Sequence, residues 1–277
     1  MDANSDISRR QMIRTGALGI AACGCIAGCK TAPVTGRKQM MLVQEPNEVA
    51  MGAQAFADAA ESEAPTSNST YQKMVEKVAR RIAAVSGRDD YDWETRCVAS
   101  EEKNAYALPG GKIVIYEGIL PVCQNEAGLA VVMSHEVAHV LARHGGERMS
   151  HQMAVNGVKQ AVSYVTRNQE EVKRDLWMQA YGMTSEYMVV LPYSRKHESE
   201  ADHIGLMLMA EAGYDPTEAP KFWSRFAASS SGPEKPEFLS THPADARRAS
   251  DLEKLLPDAL EGYRQAKGQI GKGEKLV

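Results

Sequence analysis

His135-Glu136-Val137-Ala138-His139 stands inside the apolar series Leu129, Val132, Met133, Val137, Val140 and Leu141. Apolar residues at that spacing predict a buried helix over about residues 126–144, stopped by Gly145-Gly146. Residues four apart share one face of a helix, so His135 and His139 can present two imidazoles to one ion. Glu136 projects about 100° further round the axis. There it can address a water molecule activated by the metal without occupying a ligand position.

A hydrolytic zinc site takes three protein ligands and keeps one position open. His197, Glu198, Glu200, Asp202 and His203 crowd a second predicted helix, about residues 194–212, with Gly213 as its stop. Glu198 and Asp202 are again four apart. Glu198 can therefore be the third ligand while Asp202 accepts the spare N–H of His135 and fixes its tautomer. Glu200 points elsewhere on that helix, and His197 and His203 read as surface or packing residues. His144 and His151 lack ligand spacing and read as structural or exposed.

The rest of the chain supplies a frame for these two helices. Its 277 residues are 43% apolar and 25% charged, which excludes a disordered chain and a polytopic membrane protein. A net charge of −4 gives no basic excess, which argues against a nucleic-acid partner. Helices are expected over about residues 46–60 and 71–85, the first opened by Pro46. Strands are expected near residues 93–99 and 112–116, with Pro109-Gly110-Gly111 making a hairpin turn. Amphipathic helices fill about residues 147–190, where a lid could form, and Pro192 breaks them. Asp215-Pro216-Thr217-Glu218 opens a further helix. A Ser/Gly/Pro linker follows at 229–236, and Pro243 starts a last helix to about residue 256. The fold class is α+β, mostly helical, with a small β-sheet beside the metal-binding helix.

The first residues read as an address. Arg9, Arg10 and Arg14 precede an uncharged run over residues 15–26, too short for a stable membrane span and suited to an export signal. Paired arginines fit a twin-arginine signal or an ordinary secretory one. Ile26-Ala27-Gly28-Cys29 resembles a lipobox, so Cys29 is the expected lipidation site, with Cys23 as the alternative. The expected division is 1–28 signal peptide, 29–45 lipidated lead and 46–277 the domain that carries the metal site. The expected location is a bacterial cell envelope, lipid-anchored at the outer membrane and facing the periplasm. Cys97 and Cys123 are either a disulfide or two buried thiols.

Ser194-Arg195-Lys196-His197-Glu198-Ser199-Glu200-Ala201-Asp202, placed after the first motif, resembles the HtpX, CAAX-prenyl-protease and Oma-type zinc metalloendopeptidases, which are gluzincins. Pro33-Val34-Thr35-Gly36-Arg37 is similar to the lead of their periplasmic lipoprotein members. Asn104, Ala105, Tyr106 and Ala107 resemble the family's substrate-binding edge strand. Ser240-Thr241-His242-Pro243 resembles its late His-Pro element. The resemblance implies one Zn2+ held by His135, His139 and Glu198, Glu136 as general base, and Asp202 behind His135. It makes His242 either a second oxyanion donor or a ligand in a closed resting form. Unfolded or misfolded envelope proteins are the implied substrates, in proteolytic quality control. The alternative is an envelope chaperone or assembly factor that binds unfolded outer-membrane proteins with little proteolysis.

Overall fold

A computed structural model describes residues 28–166, 194–229, 238, 242 and 247–276. The expected signal segment, Cys23, the helices beyond residue 166, Pro192, residues 230–236 of the linker, and Ser240, Thr241 and Pro243 lie outside the described residues.

Strands β1 (Gly28–Thr31) and β2 (Lys38–Met41) form an antiparallel pair, with Cys29 opposite Met40. Helix α1 (Glu45–Ser62) carries Pro46 in its first turn, where the missing N–H costs nothing. Helix α2 (Ser69–Ala83) starts at Asn68, whose side chain accepts hydrogen bonds from the Thr70 and Tyr71 amides. Its face Met74, Val75, Val78, Ala79 and Ile82 is buried.

Three strands follow: β3 (Glu94–Val98), β4 (Ala105–Leu108) and β5 (Lys112–Tyr116), in the order β3-β5-β4. The expected hairpin is β4–β5, paired antiparallel, while β3 runs parallel to β5. This leaves β4 at an edge. The Asn104 carbonyl accepts from the Tyr116 amide, so residues 106 and 108 face β5. Ala105 and Ala107 therefore turn their backbone groups to the open side.

A short helix α3 (Leu120–Cys123) leads into α4 (Glu126–Leu141), and Asn125 caps α4 by accepting from the Gly128 amide. The C-terminal tail adds to that end, with the carbonyls of Lys272 and Glu274 accepting from the Ala127 and Glu126 amides. Every residue of α4 from Glu126 to Val140 is buried, as expected of a helix apolar almost all round. Cys97 and Cys123 are free, buried thiols.

Helix α4 ends earlier than expected. Arg143 takes a left-handed conformation (φ 53°) and α5 (His144–Thr166) begins at once, with both glycines inside it. Gly146 serves close packing instead of termination: a β-carbon there would collide with the Glu48 carboxylate. Arg143 replaces the usual glycine at this turn because its guanidinium is tied to the Glu48 carboxylate and to the Val43 carbonyl.

Helix α6 (Arg195–Glu211) starts at Ser194, whose hydroxyl accepts from the His197 amide, and stops before Gly213 as expected. Helix α7 (Glu218–Ala228) opens where the capping signature put it. Helix α8 (Arg248–Gln265) runs past the expected end at residue 256 and accommodates Pro257. Helices α6 and α7 pack against α4, with α2 and β4 on its remaining sides, and α8 packs on α6 and α7. Among the described residues no helix is long and apolar enough to cross a membrane.

Candidate metal centre

Helix α6 crosses α4 with Gly205 against the His135 backbone. That contact brings Glu198 onto the two histidines. His139 Nε2 lies 3.2 Å from His135 Nε2. Glu198 places one carboxylate oxygen 3.4 Å from His135 Nε2 and the other 3.4 Å from His139 Nε2. His242 adds a fourth donor: its Nδ1 is 3.3 Å from His135 Nε2 and 3.1 Å from Glu198 Oε1.

These spacings fit one small ion. Zinc–nitrogen bonds of about 2.0–2.1 Å in a tetrahedron put neighbouring donors roughly 3.3–3.4 Å apart. Four buried groups, His135, His139, Glu198 and His242, have donor atoms within 4.8 Å of one another. Three imidazoles and one carboxylate are a donor set that zinc accepts. The expected ligands are thus brought together. His242 stands among them, at a fourth vertex, instead of beside them.

The electrostatics prepare the donors. Burial and the neighbouring imidazoles of His135, His242 and His144 push His139 well below its usual pKa, so it is neutral and can offer a lone pair. Burial opposes charge on Glu198, yet hydrogen bonds with His135 and His242 hold it well below the usual carboxylate range. Asp202 Oδ1 is 3.1 Å from His135 Nδ1, the contact that frees Nε2 for a metal.

Glu136 is buried, and desolvation pushes its pKa up to about 7, with His242 and the Ala107 backbone acting in the opposite direction. Its Oε1 makes no hydrogen bond among the described residues and lies 3.3 Å from His242 Nε2. A carboxylate titrating near neutrality is well matched to taking up and returning a proton. Ala107 on the open edge of β4 adjoins this group, so the expected substrate strand and the expected base meet. A cavity of about 250 Å³ opens beside His139, lined among others by Met51, Ala107, Leu108, Val140 and Met149.

Several side chains belong to this region although sequence reasoning gave them no part. Arg248 grips Asp202 with two nitrogens, at 2.8 and 2.7 Å, and stacks 3.4 Å over the Trp223 ring. Only the fold brings α8 here; no local pattern marks Arg248. His144 is fully buried and faces His139, so of the structural or exposed reading the exposed alternative fails. Its signal was the five-residue spacing from His139, which puts it off the shared face unless the helix breaks between them. Glu200 and His197 are buried as well, and His151 is exposed.

Comparisons with known proteins agree with this geometry. The pattern of peptidase family M48 matches residues 68–256. The Mitochondrial metalloendopeptidase OMA1 of Schizosaccharomyces pombe is 40% identical over 186 residues, 67% of this chain and 53% of its own length. Its counterpart in Saccharomyces cerevisiae is 33% identical over 254 residues, 85% of this chain and 71% of its own length. The Beta-barrel assembly-enhancing protease of Escherichia coli is 30% identical over 191 residues, 62% of this chain and 37% of its own length. The chain thus spans about half the length of the fission-yeast relative.

These relatives overturn the expected bacterial-envelope location at the outer membrane. Relatives from fungi, a plant and animals, at up to 40% identity, are mitochondrial metalloendopeptidases. A basic start before a short apolar run is a targeting pattern, and it does not by itself select the compartment. With zinc as its cofactor and this donor set in its core, the chain belongs to peptidase family M48, among the Oma-type zinc metalloendopeptidases.

Proposed function

We propose that the chain hydrolyses peptide bonds in extended, unfolded segments of proteins, with His135, His139 and Glu198 holding zinc. The observation that carries this reading is the meeting of four buried donor groups, within 4.8 Å of one another, next to a buried carboxylate that adjoins the open edge of a strand. Zinc, when bound, supplies Lewis-acid chemistry, acidifying water and polarising a carbonyl. Glu136 takes the proton of the attacking water and returns it to the leaving amine. Asp202, held by Arg248, keeps His135 in the ligating tautomer.

The backbone of Ala105 and Ala107 pairs with the substrate as an added strand, continuing the edge through Asn104 and Tyr106. Such pairing reads main chain, which favours unfolded clients and broad specificity. His242 at the fourth vertex closes the site at rest and swings away to admit water. The position it occupies favours this over an oxyanion donor standing apart. Attachment to a membrane by diacylglycerol on Cys29 belongs to the proposal, and mass spectrometry of the membrane fraction checks it.

The test is cleavage of an unfolded protein such as casein. Dialysis against a chelator abolishes it and one equivalent of zinc restores it. A Glu198→Ala chain loses most zinc and most cleavage together. Client binding at full strength with no cleavage at any zinc level sinks the hydrolytic reading and leaves the chaperone one.

A further inference from the structure

A buried polar chain runs from His139, on its side away from the other donors, to the N-terminal lead. His144 Nδ1 lies 2.9 Å from His139 Nδ1, and His144 Nε2 lies 2.9 Å from Glu200 Oε2. His144 is fully buried. Its two nitrogens face different partners, and one tautomer satisfies both. A carboxylate only accepts, so His144 carries its proton on Nε2 and presents a lone pair on Nδ1. His139 must then donate its Nδ1–H to that lone pair. This leaves His139 Nε2 unprotonated on the side of His135, Glu198 and His242.

Glu200 is itself held from the lead. The Thr35 hydroxyl donates to Oε1, and Arg37 Nε donates to Oε2 at 2.7 Å. The outer edge of the same guanidinium forks onto Glu147, at 2.9 and 2.6 Å. His197 stacks on His144 with ring centroids 4.4 Å apart, and its Nε2 is 3.1 Å from Glu147. Gln39 of β2 donates to Glu147 and to the Ala142 carbonyl beside the left-handed turn. The segment Pro33-Val34-Thr35-Gly36-Arg37 thus reaches helices α5 and α6 more than one hundred residues later.

We propose that His144 and Glu200 form a relay that fixes the tautomer and ring plane of His139, and that Thr35 and Arg37 anchor the relay from the N-terminal lead. His144 and Glu200 are positioning residues, and the inference rests on the reading of His139 as a zinc ligand. Asp202 serves His135 directly; His139 is served through an interposed imidazole. The lead becomes part of the metal site without touching the metal.

The experiment measures zinc affinity by competition with a chromophoric chelator, and the visible spectrum of the cobalt(II)-substituted full chain. His144→Ala weakens zinc binding about 10–100-fold and shifts the cobalt spectrum. His144→Asn, whose amide oxygen can stand where Nδ1 stood, recovers part of both. Arg37→Gln, at the partly exposed end, weakens binding roughly threefold and provides the reading if His144→Ala does not fold. His151→Ala changes neither quantity. Folded His144→Ala and Arg37→Gln chains with wild-type affinity and spectrum overturn the relay. A His139→Ala chain that keeps one tightly bound zinc overturns the ligand assignment itself, and the relay with it.

Discussion

Gly205 lies directly against His135: a β-carbon built on Gly205 would sit 3.0 Å from the His135 amide nitrogen. The approach of α6 to α4 at this point sets the distance from Glu198 to both histidines. Gly205→Leu should force the helices apart, destabilising the fold by about 1–3 kcal/mol and removing most zinc. Calorimetry and zinc stoichiometry read the two effects. Full zinc occupancy in a folded Gly205→Leu chain would show that the crossing point does not govern the site.

Glu136→Gln keeps the shape of the side chain and removes its basicity. Zinc should stay at one per chain while cleavage of a quenched extended peptide drops about 10²–10⁴-fold. Unchanged hydrolysis in the zinc-loaded variant would move the base elsewhere.

His242→Ala separates two roles. Three protein ligands remain, so zinc is retained, and removing the fourth donor should raise cleavage of unfolded casein. A fall of roughly 100-fold, with zinc retained, would instead make His242 a donor to the developing oxyanion.

The open edge of β4 predicts a periodic response to substrate backbone changes. N-methylation should weaken binding at alternate residues of an extended peptide, each by about 2–10-fold, and leave the intervening residues unaffected. KM across a methyl scan reads the period. A flat scan would remove strand addition as the binding mode.

Acid stability follows from Glu147. Burial raises its pKa, but hydrogen bonds from Arg37 and His197 outweigh that and hold it well below its ordinary 4.5. Below about pH 5 the unfolded chain binds more protons than the folded one at this site, so stability falls as pH falls. Glu147→Gln should lose about 2–3 kcal/mol at neutral pH and show a shallower decline between pH 5 and 3. Urea unfolding across that range checks both. An unaltered acid decline in the variant would assign it to other carboxylates.

The two halves of the candidate site were legible because helical periodicity is local: His135, Glu136 and His139 need only α4 to form, and Glu198 and Asp202 need only α6. The hairpin turn at Gly110 and the stop at Gly213 were legible for the same reason. The end of α4 was misread because Gly145-Gly146 signals termination, whereas Gly146 is small to admit Glu48. That error hid His144, which reaches His139 only across the left-handed turn at Arg143. Arg248, Arg37 and Gly205 act over long sequence separations, where no short-range pattern reports contact. The location was misjudged because a targeting segment is read by a receptor, and its charge and apolar length are shared between compartments.

No side of α4 faces solvent between Glu126 and Val140, so an ion reaches the histidines from the cavity beside His139 or past His242, and not across the helix itself. With all four donor groups buried, loading and loss are expected to be paced by local opening more than by collision with the ion. Prolonged exposure to chelator, or metal supplied while the chain folds, would be needed to change occupancy, and brief soaking would leave most molecules as they were.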